Sequence, residues 1–243
     1  MQAGEQLYEG KAKILYATDD PGRLVQHFKD DATAFNAQKR GTIHDKGVVN
    51  NRMSERLFRY LEAHGVHTHF LERLDDRRML VRRLEMLPIE VIVRNRIAGS
   101  LARRLGLPEG TEAKRRILEF CLKSDELGDP LITEDHILAL ELVPEARLAE
   151  VKAVTAKVAE LLTRFFAERG LELVDFKLEY GIDPEGRLTL GDEICPDTMR
   201  LWDVATGEKK DKDRFRHDLG GVEEAYHEVL ERVLAGDGDE ELP

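Results

Sequence analysis

The stretch from Leu171 to Asp203 places the strongest constraint on the fold, because its first half alternates between apolar and charged residues. Side chains of a strand point alternately to its two faces, so this alternation predicts a strand with one buried face and one charged face. The apolar face holds Val174, Phe176, Leu178 and Tyr180, and the charged face holds Asp175, Lys177 and Glu179. Residues 181–186 predict a turn, and residues 187–194 predict a second strand that carries Asp192 and Glu193. The stretch therefore predicts a β-hairpin.

The charged face of this hairpin suggests a site for a cation and an anionic substrate. Its carboxylates, those of Asp175, Glu179 and Asp192, would repel one another unless a cation or a shared substrate neutralises them. Hard oxygen ligands beside Lys177 suit Mg²⁺ that carries a nucleotide triphosphate. A solvated strand face is the alternative for such a pattern alone. The segment that follows, CPDTMRLWD, favours a site, because a proline, an arginine and the chain's only tryptophan come directly after the carboxylates.

Length and composition limit the class of protein. The chain has 243 residues, of which 42% are hydrophobic, which is enough for one large domain or two tightly packed ones. No apolar run approaches the roughly 20 residues that span a membrane, and the start, MQAGEQLYEGK, lacks the apolar core of a signal peptide. Cys121 and Cys195 make no plausible disulfide framework, which predicts a cytoplasmic protein. Cys195 lacks an accompanying Cys/His pattern and is predicted to be buried rather than nucleophilic.

The charge balance argues against a general nucleic-acid binder. The net charge is −11, whereas nucleic-acid binding normally needs a basic surface. Short basic clusters are still present at residues 82–83, 94–96, 103–104 and 114–116. Most such clusters are solvated, but a small anionic substrate can use one of them. The closely spaced histidines of residues 64–69 make an incomplete zinc ligand set, so ordinary surface or strand histidines are the stronger interpretation.

Two further segments have the chemistry of phosphate sites. Residues 7–16, LYEGKAKILY, predict two short strands joined at Gly10, where a glycine lets the backbone approach a phosphate beside Lys11 and Lys13. An ordinary hairpin with exposed lysines is the alternative from these residues alone. Gly99 and Ser100 precede a predicted helix and offer N–H groups and a hydroxyl to a phosphate. A simple helix cap is the alternative for Ser100.

The periodic patterns predict further helices. An amphipathic helix is predicted over residues 50–64, and the longest one over residues 144–169, with a proline at its first turn and a glycine as its stop. Residues 111–123 are also predicted to be helical, with Ile117, Leu118, Cys121 and Leu122 facing inward. The last amphipathic helix follows Gly221, and the acidic end of the chain is expected to fray.

Several segments, in order along nearly the whole chain, resemble the phosphoribosylaminoimidazole-succinocarboxamide synthase (SAICAR synthetase) family of purine biosynthesis. These segments are LYEGKAKILY, KGVVNN, PIEVIVRNRIAGSLARRLG, LVDFKLEYG with LGDEICPDTMRLWD, and DKDRFRHDLGG. Several motifs of this length in the order expected for the family are far stronger evidence for the resemblance than any single motif. The chain departs from the family after Asn36, where a glycine is common and this sequence has Ala37. A role that needs positive φ at that position is therefore in question.

The resemblance implies an α+β fold related to ATP-grasp and kinase-like folds. An N-terminal antiparallel sheet domain over residues 1–87 would cover the nucleotide, and a larger sheet-and-helix domain would follow over residues 88–243, with ATP in the cleft between them. The implied enzyme is a cytoplasmic, homodimeric ligase that uses ATP and Mg²⁺. It joins L-aspartate to the carboxylate of 5-aminoimidazole-4-carboxy ribonucleotide (CAIR) through an acyl phosphate, with ADP and phosphate as products. No nucleic-acid or membrane partner is expected.

The resemblance also implies roles for individual residues. The expected ATP contacts, with an adenine-binding hinge by analogy with kinase-like folds, are Gly10, Lys11, Ala12, Lys13, Glu85, Met86 and Lys123. The expected catalytic residues are Asp175, Lys177 and again Lys123, and the expected Mg²⁺ ligands are Glu179 and Asp192. The expected CAIR-phosphate contacts are Arg94, Ser100 and Arg200. Asp129 and Asp175 are expected at the imidazole end or at a second magnesium, and Lys212 and Arg216 at the aspartate.

Two rival functions remain open at this point. A kinase-like phosphotransferase would use the same glycine turn and carboxylates, but it would need a catalytic-loop pattern such as HRDxxxxN, which the sequence lacks. A nucleotide-sensing or interaction protein on a degenerate fold would have lost some of Lys11, Glu179 and Asp192, and all three are present. Both observations favour the ligase.

Overall fold

The computed structural model describes residues 3–34 and 39–235 of the chain. The strands are β1 Gln6–Glu9, β2 Lys13–Ala17, β3 Arg23–Phe28, β4 Asp31–Ala34, β5 Lys39–Thr42, β6 Phe70–Arg73, β7 Arg78–Arg82, β8 Glu85–Ile97, β9 Thr111–Leu122, β10 Leu131–Ile132, β11 Leu171–Ile182, β12 Leu188–Leu190 and β13 Met199–Asp203. The helices are α1 Lys46–Ala63, α2 Gly99–Leu105, α3 Glu134–Ala139, α4 Glu145–Ala167, α5 Asp213–Arg216 and α6 Val222–Leu234. The predicted α+β class is confirmed. The predictions about Ala37 and about the acidic end fall outside the described residues.

The first sheet is antiparallel and has the strand order β1-β2-β3-β7-β6. Short sequence separations favour such neighbours, because β1, β2 and β3 are joined by tight turns. Phe28 of β3 and Met79 and Val81 of β7 are buried in the main hydrophobic core. Helix α1 packs against this sheet and also against α6. Leu24, Gln26 and Val81 of this sheet line the cleft toward the second sheet.

The second sheet has the order β10-β9-β8-β11-β12, and β13 pairs with β11. Buried residues alternate with less buried ones along β8, as the period of a strand requires. The antiparallel register sets Arg94 opposite Asp175 and Glu90 opposite Glu179. The predicted charged face of Asp175, Lys177 and Glu179 therefore meets a charged face of β8. This register brings together the charges of the site described below.

Helix α4 covers the apolar face of the second sheet, and its buried stripe includes Val158, Leu162 and Phe166. Tyr180 is fully buried in β11, and its hydroxyl lies 2.9 Å from Thr155 Oγ1 of α4. One hydrophobic core cluster continues from the first sheet to the second. No helix among the described residues is long and apolar enough to cross a membrane.

The prediction of a helix over residues 111–123 is wrong, because this segment forms strand β9. It pairs with β8 from Ile89 opposite Leu122 to Ile97 opposite Thr111. The exposed edge of β8 needs hydrogen-bond partners, and pairing with it outweighs the helical spacing of a few apolar residues. Strand β12 is also shorter than predicted. It ends at Leu190, and Asp192 takes a left-handed backbone with φ 62°.

The boundary between the two predicted domains remains a prediction. The first sheet ends at Arg82 and the second begins at Glu85. The amide of His69 donates to the carbonyl of Leu190 at 2.8 Å, and the amide of Leu190 donates to the carbonyl of His67 at 2.9 Å. These bonds connect the segment that leads into β6 of the first sheet to β12 of the second sheet.

Candidate active site

A cavity of about 750 Å³ lies between the two sheets. It is lined by the turn after β1, by β2 and β3, by the facing strands β8 and β11, and by the segments around residues 123–129 and 192–200. The predicted site residues that line it are Gly10, Lys11, Ala12, Lys13, Met86, Arg94, Ser100, Lys123, Asp129, Asp175, Lys177, Glu179, Asp192, Arg200, Lys212 and Arg216. The fold therefore brings together residues as far apart in the sequence as Gly10 and Arg216.

Glu85 is the predicted site residue that does not line this cavity. Glu85 and Met86 are consecutive residues of a strand, so their side chains point to opposite faces. Met86 faces the cavity, whereas Glu85 is exposed on the outside of the sheet. A hinge role for Glu85 would accordingly involve its backbone rather than its carboxylate.

The turn after β1 closes one side of the cavity. The amide of Gly10 donates to the carbonyl of Lys13 at 2.9 Å, which tightens the turn. A Cβ added at Gly10 would lie 3.0 Å from the ring of Tyr8, so the space at the turn is small. Lys11 Nζ reaches across the cleft and lies 2.6 Å from Asp125 Oδ1. This contact joins the turn of the first sheet to the loop after β9.

A group of alternating positive and negative side chains occupies the centre of the cavity. We call it the lysine–carboxylate cluster, and its members are Lys13, Glu90, Lys123, Lys177, Glu179, Asp192 and Glu193. Lys177 Nζ lies 2.5 Å from Glu179 Oε1 and 2.8 Å from Glu90 Oε1. Lys13 Nζ lies 2.5 Å from Glu193 Oε2 and also pairs with Asp192, and Lys123 pairs with the second oxygen of Glu179. Every charge of the cluster thus has an opposite neighbour.

The pKa shifts in this cluster follow from burial and from charge. Burial favours the neutral form of Glu179, but the charges of Lys177, Lys123 and Lys13 outweigh it and hold the pKa of Glu179 below its ordinary value. Burial likewise opposes the charge of Lys177, and the attraction of Glu179 and Glu90 nevertheless raises the pKa of Lys177. The pKa of Glu90 is raised, chiefly by burial. Glu179 and Lys177 therefore stay ionised at neutral pH.

The chemistry of the cluster fits a magnesium ion that arrives with a nucleotide. Four carboxylates face three lysines, so the cluster has a net negative charge before any ligand binds. Among the described residues, no group of three or more ligating side chains forms a complete protein cage. Mg²⁺ at nucleotide sites needs one or two carboxylates plus phosphate oxygens and water. The left-handed backbone of Asp192 is the kind of strain that is retained at functional sites.

A second group, the arginine–aspartate cluster, lies at the other end of the cavity and consists of Arg94, Ser100, Asp175, Arg200 and Asp213. Arg94 Nη1 donates to Asp175 Oδ2 at 2.9 Å, and Arg94 Nη2 donates to Ser100 Oγ at 3.1 Å. Arg200 Nη1 donates to both oxygens of Asp175 at 3.0 and 2.9 Å, and Arg200 Nε donates to Asp213 Oδ2 at 2.8 Å. The cap of α2 is Ala98, so Ser100 is free to contact Arg94.

A third group, the Asp197 network, is almost completely buried behind the cavity. Lys46 Nζ of α1 lies 2.7 Å from Asp197 Oδ2, and Asn50 Nδ2 donates to the same oxygen at 3.2 Å. The hydroxyl of Tyr226 in α6 donates to Asp197 Oδ1 at 2.6 Å. Burial opposes ionisation of Asp197, but Lys212 and Lys46 outweigh it and hold its pKa below the ordinary value. Asp197 therefore stays charged and fastens the loop before β13 to two helices.

Several of these residues were not predicted from the sequence. Glu90 and Glu193 belong to the lysine–carboxylate cluster, and Asp197 and Lys46 form the central ion pair of the Asp197 network. Glu193 and Asp197 lie within the segment GDEICPD, whose density of carboxylates was a usable signal. Glu90 and Lys46 carried no such signal, because their roles depend on distant partners. Glu90 pairs with Lys177, which lies 87 positions later in the chain, and Lys46 pairs with Asp197, which lies 151 positions later.

The chain resembles proteins of one family over nearly its whole length. The family model described as SAICAR synthetase matches residues 6–233. The phosphoribosylaminoimidazole-succinocarboxamide synthase of Magnetococcus marinus is 56% identical over 236 residues, which cover 96% of this chain and 97% of that protein.

Solved structures with this fold agree with that match. The crystal structure of phosphoribosylaminoimidazole-succinocarboxamide synthase from Ehrlichia chaffeensis has a TM-score of 0.92 at 44% identity and covers 94% of this chain and 98% of its own. A SAICAR synthetase solved in complex with ADP has a TM-score of 0.91 at 45% identity, with 95% of this chain and 97% of its own covered. Solved relatives of similar sequence thus have the expected fold, and one of them was solved with ADP.

Proposed function

The chain belongs to the SAICAR synthetase family and is an ATP-dependent ligase of purine biosynthesis, and we propose how its cleft performs the reaction. The substrates are CAIR and L-aspartate, and the products are SAICAR, ADP and phosphate. The observation that carries the proposal is one cavity that combines a glycine turn, a lysine–carboxylate cluster and an arginine–aspartate cluster. Three anionic substrates need such a distribution of charge.

The reaction needs an activated carboxylate, because an ionised carboxyl group is a poor electrophile. Transfer of the γ-phosphoryl group of ATP to the CAIR carboxylate gives an acyl phosphate and ADP. The aspartate amine then forms the amide bond, and phosphate leaves with the oxygen that it received. Positioning and neutralisation of the two anions are the main contributions that protein groups make to such a transfer.

ATP is assigned to the side of the cavity closed by the turn at residues 10–13. Gly10 and Ala12 would let the backbone approach the phosphates, and Lys11 and Lys13 would neutralise them. Lys123 and Lys177 lie beside the same carboxylates and would stabilise the transferred phosphoryl group. The backbone at Glu85 and the side chain of Met86 would hold the adenine where the two sheets join.

Glu179 and Asp192 would hold Mg²⁺, which supplies charge neutralisation for the triphosphate when it is bound. Both side chains are almost fully buried, and both pair with lysines. The lysines keep the two carboxylates ionised and oriented until the nucleotide arrives. They would then turn toward phosphate oxygens.

CAIR and aspartate are assigned to the other end of the cavity. Arg94, Ser100 and Arg200 would bind the phosphate of CAIR, since two guanidinium groups and a hydroxyl converge there. Asp175 and Asp129 would contact the imidazole end. Lys212 and Arg216, which follow on α5 and its cap, would contact the carboxylates of aspartate.

An isotope-transfer assay tests this function and its order of events. ADP release should require CAIR, L-aspartate and Mg²⁺ together for full turnover, and chelation of the metal should abolish it. CAIR labelled with ¹⁸O in its carboxylate should transfer one label to inorganic phosphate, because the activated oxygen leaves with the phosphoryl group. Unlabelled phosphate would rule out the acyl phosphate, and ADP release that ignores CAIR would rule out the ligase.

We also propose an oligomeric state, a cellular compartment and a domain boundary for this protein. We assign the protein to the cytoplasm, which agrees with two buried free cysteines. A homodimer is supported by the exposed leucines between residues 127 and 140, namely Leu127, Leu131, Leu138 and Leu140. The division into domains at residue 87 agrees with the change from the first sheet to the second at residues 82–85.

A further inference from the structure

Lys212 is a buried lysine at the edge of the cavity whose amino group lacks a close partner. The residue is 8% exposed and caps helix α5, and its side chain lines the cavity. Its nearest charged neighbour is Asp197, whose Oδ1 lies 3.8 Å from Lys212 Nζ. This distance is too long for a hydrogen bond. In the part of the chain that the structure describes, Lys212 Nζ makes no hydrogen bond.

The other lysines of the cavity differ from Lys212 in this respect. Lys11 lies 2.6 Å from its carboxylate partner, Lys13 lies 2.5 Å from one of its partners, and Lys177 lies 2.8 Å or less from two. Such contacts stabilise the ammonium form and remove its ability to accept a proton. A buried lysine that lacks them can act as a base instead.

The surroundings of Lys212 explain why its charged form is weakly supported. Burial lowers the pKa of Lys212, the attraction of Asp197 opposes this effect, and the charges of Lys46 and Arg216 add to it. Asp197 accepts hydrogen bonds from Lys46 and from Tyr226 in α6 but none from Lys212, so it stabilises the ammonium form of Lys212 only through its charge at 3.8 Å. Burial raises the pKa of the nearby Cys195 thiol, which is therefore neutral.

The other basic groups of the cavity are less suited to accept a proton. Asp175 is held between two arginines, and Glu179 is held between two lysines. Burial lowers the pKa of His69 to about 3, so its ring is neutral but very weakly basic. Its Nε2 atom is also buried from solvent. Lys212 combines access to the cavity with an amine that makes no hydrogen bond and whose pKa is lowered by burial.

We propose that Lys212 is the general base that deprotonates the α-ammonium group of L-aspartate. This inference rests on the proposed function, and within it Lys212 acts on the ammonium group of aspartate while Arg216 contacts the carboxylates. The neutral amine of Lys212 takes one proton from the ammonium group and becomes an ammonium ion. The freed lone pair forms the C–N bond with the acyl-phosphate carbon, the C–O bond to phosphate breaks with its electron pair, and the remaining surplus proton on nitrogen leaves with phosphate.

A substitution that keeps the positive charge, combined with a change of nucleophile, separates this role from binding of the aspartate carboxylates. Hydroxylamine is largely unprotonated at neutral pH and attacks acyl phosphates without a base, giving a hydroxamate. In Lys212→Arg, which keeps the positive charge but cannot act as a base, kcat with L-aspartate should fall by about 10²-fold or more. Hydroxamate formation from CAIR and ATP should stay within a few-fold of wild type. Lys212→Gln is made in parallel, and ATP binding by both variants checks that they are folded.

Lys210→Arg is the matched control, because Lys210 lies two positions away, outside the cavity, and pairs with Glu228 at 2.7 Å. It should leave both reactions unchanged. The inference is overturned if Lys212→Arg and Lys212→Gln keep aspartate turnover, or if they lose aspartate and hydroxylamine reactions equally. A wild-type enzyme that forms neither SAICAR nor hydroxamate would instead contradict the proposed function itself.

Discussion

At the scale of single residues, Gly99 shows how one backbone position controls the charges of the cavity. Its φ is +55°, and a Cβ added there would lie 2.3 Å from Nη2 of Arg200 and 2.5 Å from Cζ. Arg200 is held on its other side by Asp175 and Asp213, so it has little room to move. A side chain at this position must therefore displace the guanidinium group.

Gly99→Ala should raise the KM for CAIR by about tenfold or more, since hydrogen bonds to charged groups contribute about 1.5–3 kcal/mol. The KM for ATP should change by less than about twofold, because the nucleotide is assigned to the opposite end of the cavity. Steady-state kinetics with each substrate varied in turn measures the difference.

Gly106→Ala is the matched control for this substitution. Gly106 ends the same helix with a φ of +64°, but a Cβ added there meets no atom within 4 Å. The control thus introduces similar backbone strain of about 1–2 kcal/mol without the collision. Equal increases in the KM for CAIR in both variants would show that strain, and not Arg200, is responsible.

At the scale of elements, Gly47 determines how closely α1 approaches the first sheet. A Cβ at Gly47 would lie 2.6 Å from the carbonyl oxygen of Phe28 in β3 and 2.7 Å from Nη1 of Arg77. The amide of Gly47 donates to Asp30 Oδ1 at 2.9 Å, which fixes the first turn of the helix beside the strand. The close approach is therefore a contact between backbones, and backbone cannot move aside as a flexible side chain can.

Gly47→Ala should destabilise the protein by about 1–3 kcal/mol, the usual cost of overpacking. The same change in an unobstructed helix would stabilise by up to about 1 kcal/mol. Urea unfolding measures the difference in free energy. Gly22→Ala is the comparison, because its added Cβ would contact the end of the Asp20 side chain at 3.2 Å. A Gly47→Ala variant as stable as wild type would contradict this account of the packing.

At the scale of the whole molecule, Asp203 joins the second sheet to the last helix. Its Oδ1 accepts from the amides of Ala205 and Thr206 at 3.0 and 2.8 Å, and its Oδ2 accepts from Arg232 Nη2 of α6 at 2.7 Å. Hydrogen bonds from Arg232 and Thr206 lower the pKa of Asp203 from 3.8 to about 2. Because α6 also packs on α1, this carboxylate helps to hold the second sheet, α6 and α1 together.

The lowered pKa of Asp203 predicts a pH dependence with a definite sign. The ionised form is favoured in the folded state, so its contribution to stability is present above about pH 4 and is lost as the pH falls toward about 2. Asp203→Asn should be less stable than wild type at pH 6, and the difference should shrink between pH 4 and pH 2. Urea midpoints at several pH values provide the test, and a difference that stays constant down to pH 2 would contradict it.

The sequence by itself determined the family, the α+β class and the two-faced strand that ends before the turn predicted at residue 181. These depend on local pattern, because the faces of a strand alternate with a period of two whatever lies beside it. The family assignment is confirmed by the match over residues 6–233. The sequence also indicated that charged residues from distant segments would meet, and most of the predicted side chains do line one cavity.

Tertiary structure alone decided the features that depend on distant partners. Residues 111–122 form a strand because β8 offers them an unpaired edge, which their own helical spacing does not reveal. The burial of Lys46 beside Asp197 and the left-handed backbone of Asp192 likewise follow from packing between elements far apart in the chain. The lack of a hydrogen bond at Lys212 has the same origin, because it depends on how far the folded chain places Asp197 from the amine. Strand pairing, burial and the electrostatic environment of a side chain depend on distances in the folded structure. A sequence pattern contains only separations along the chain, so it does not reveal them.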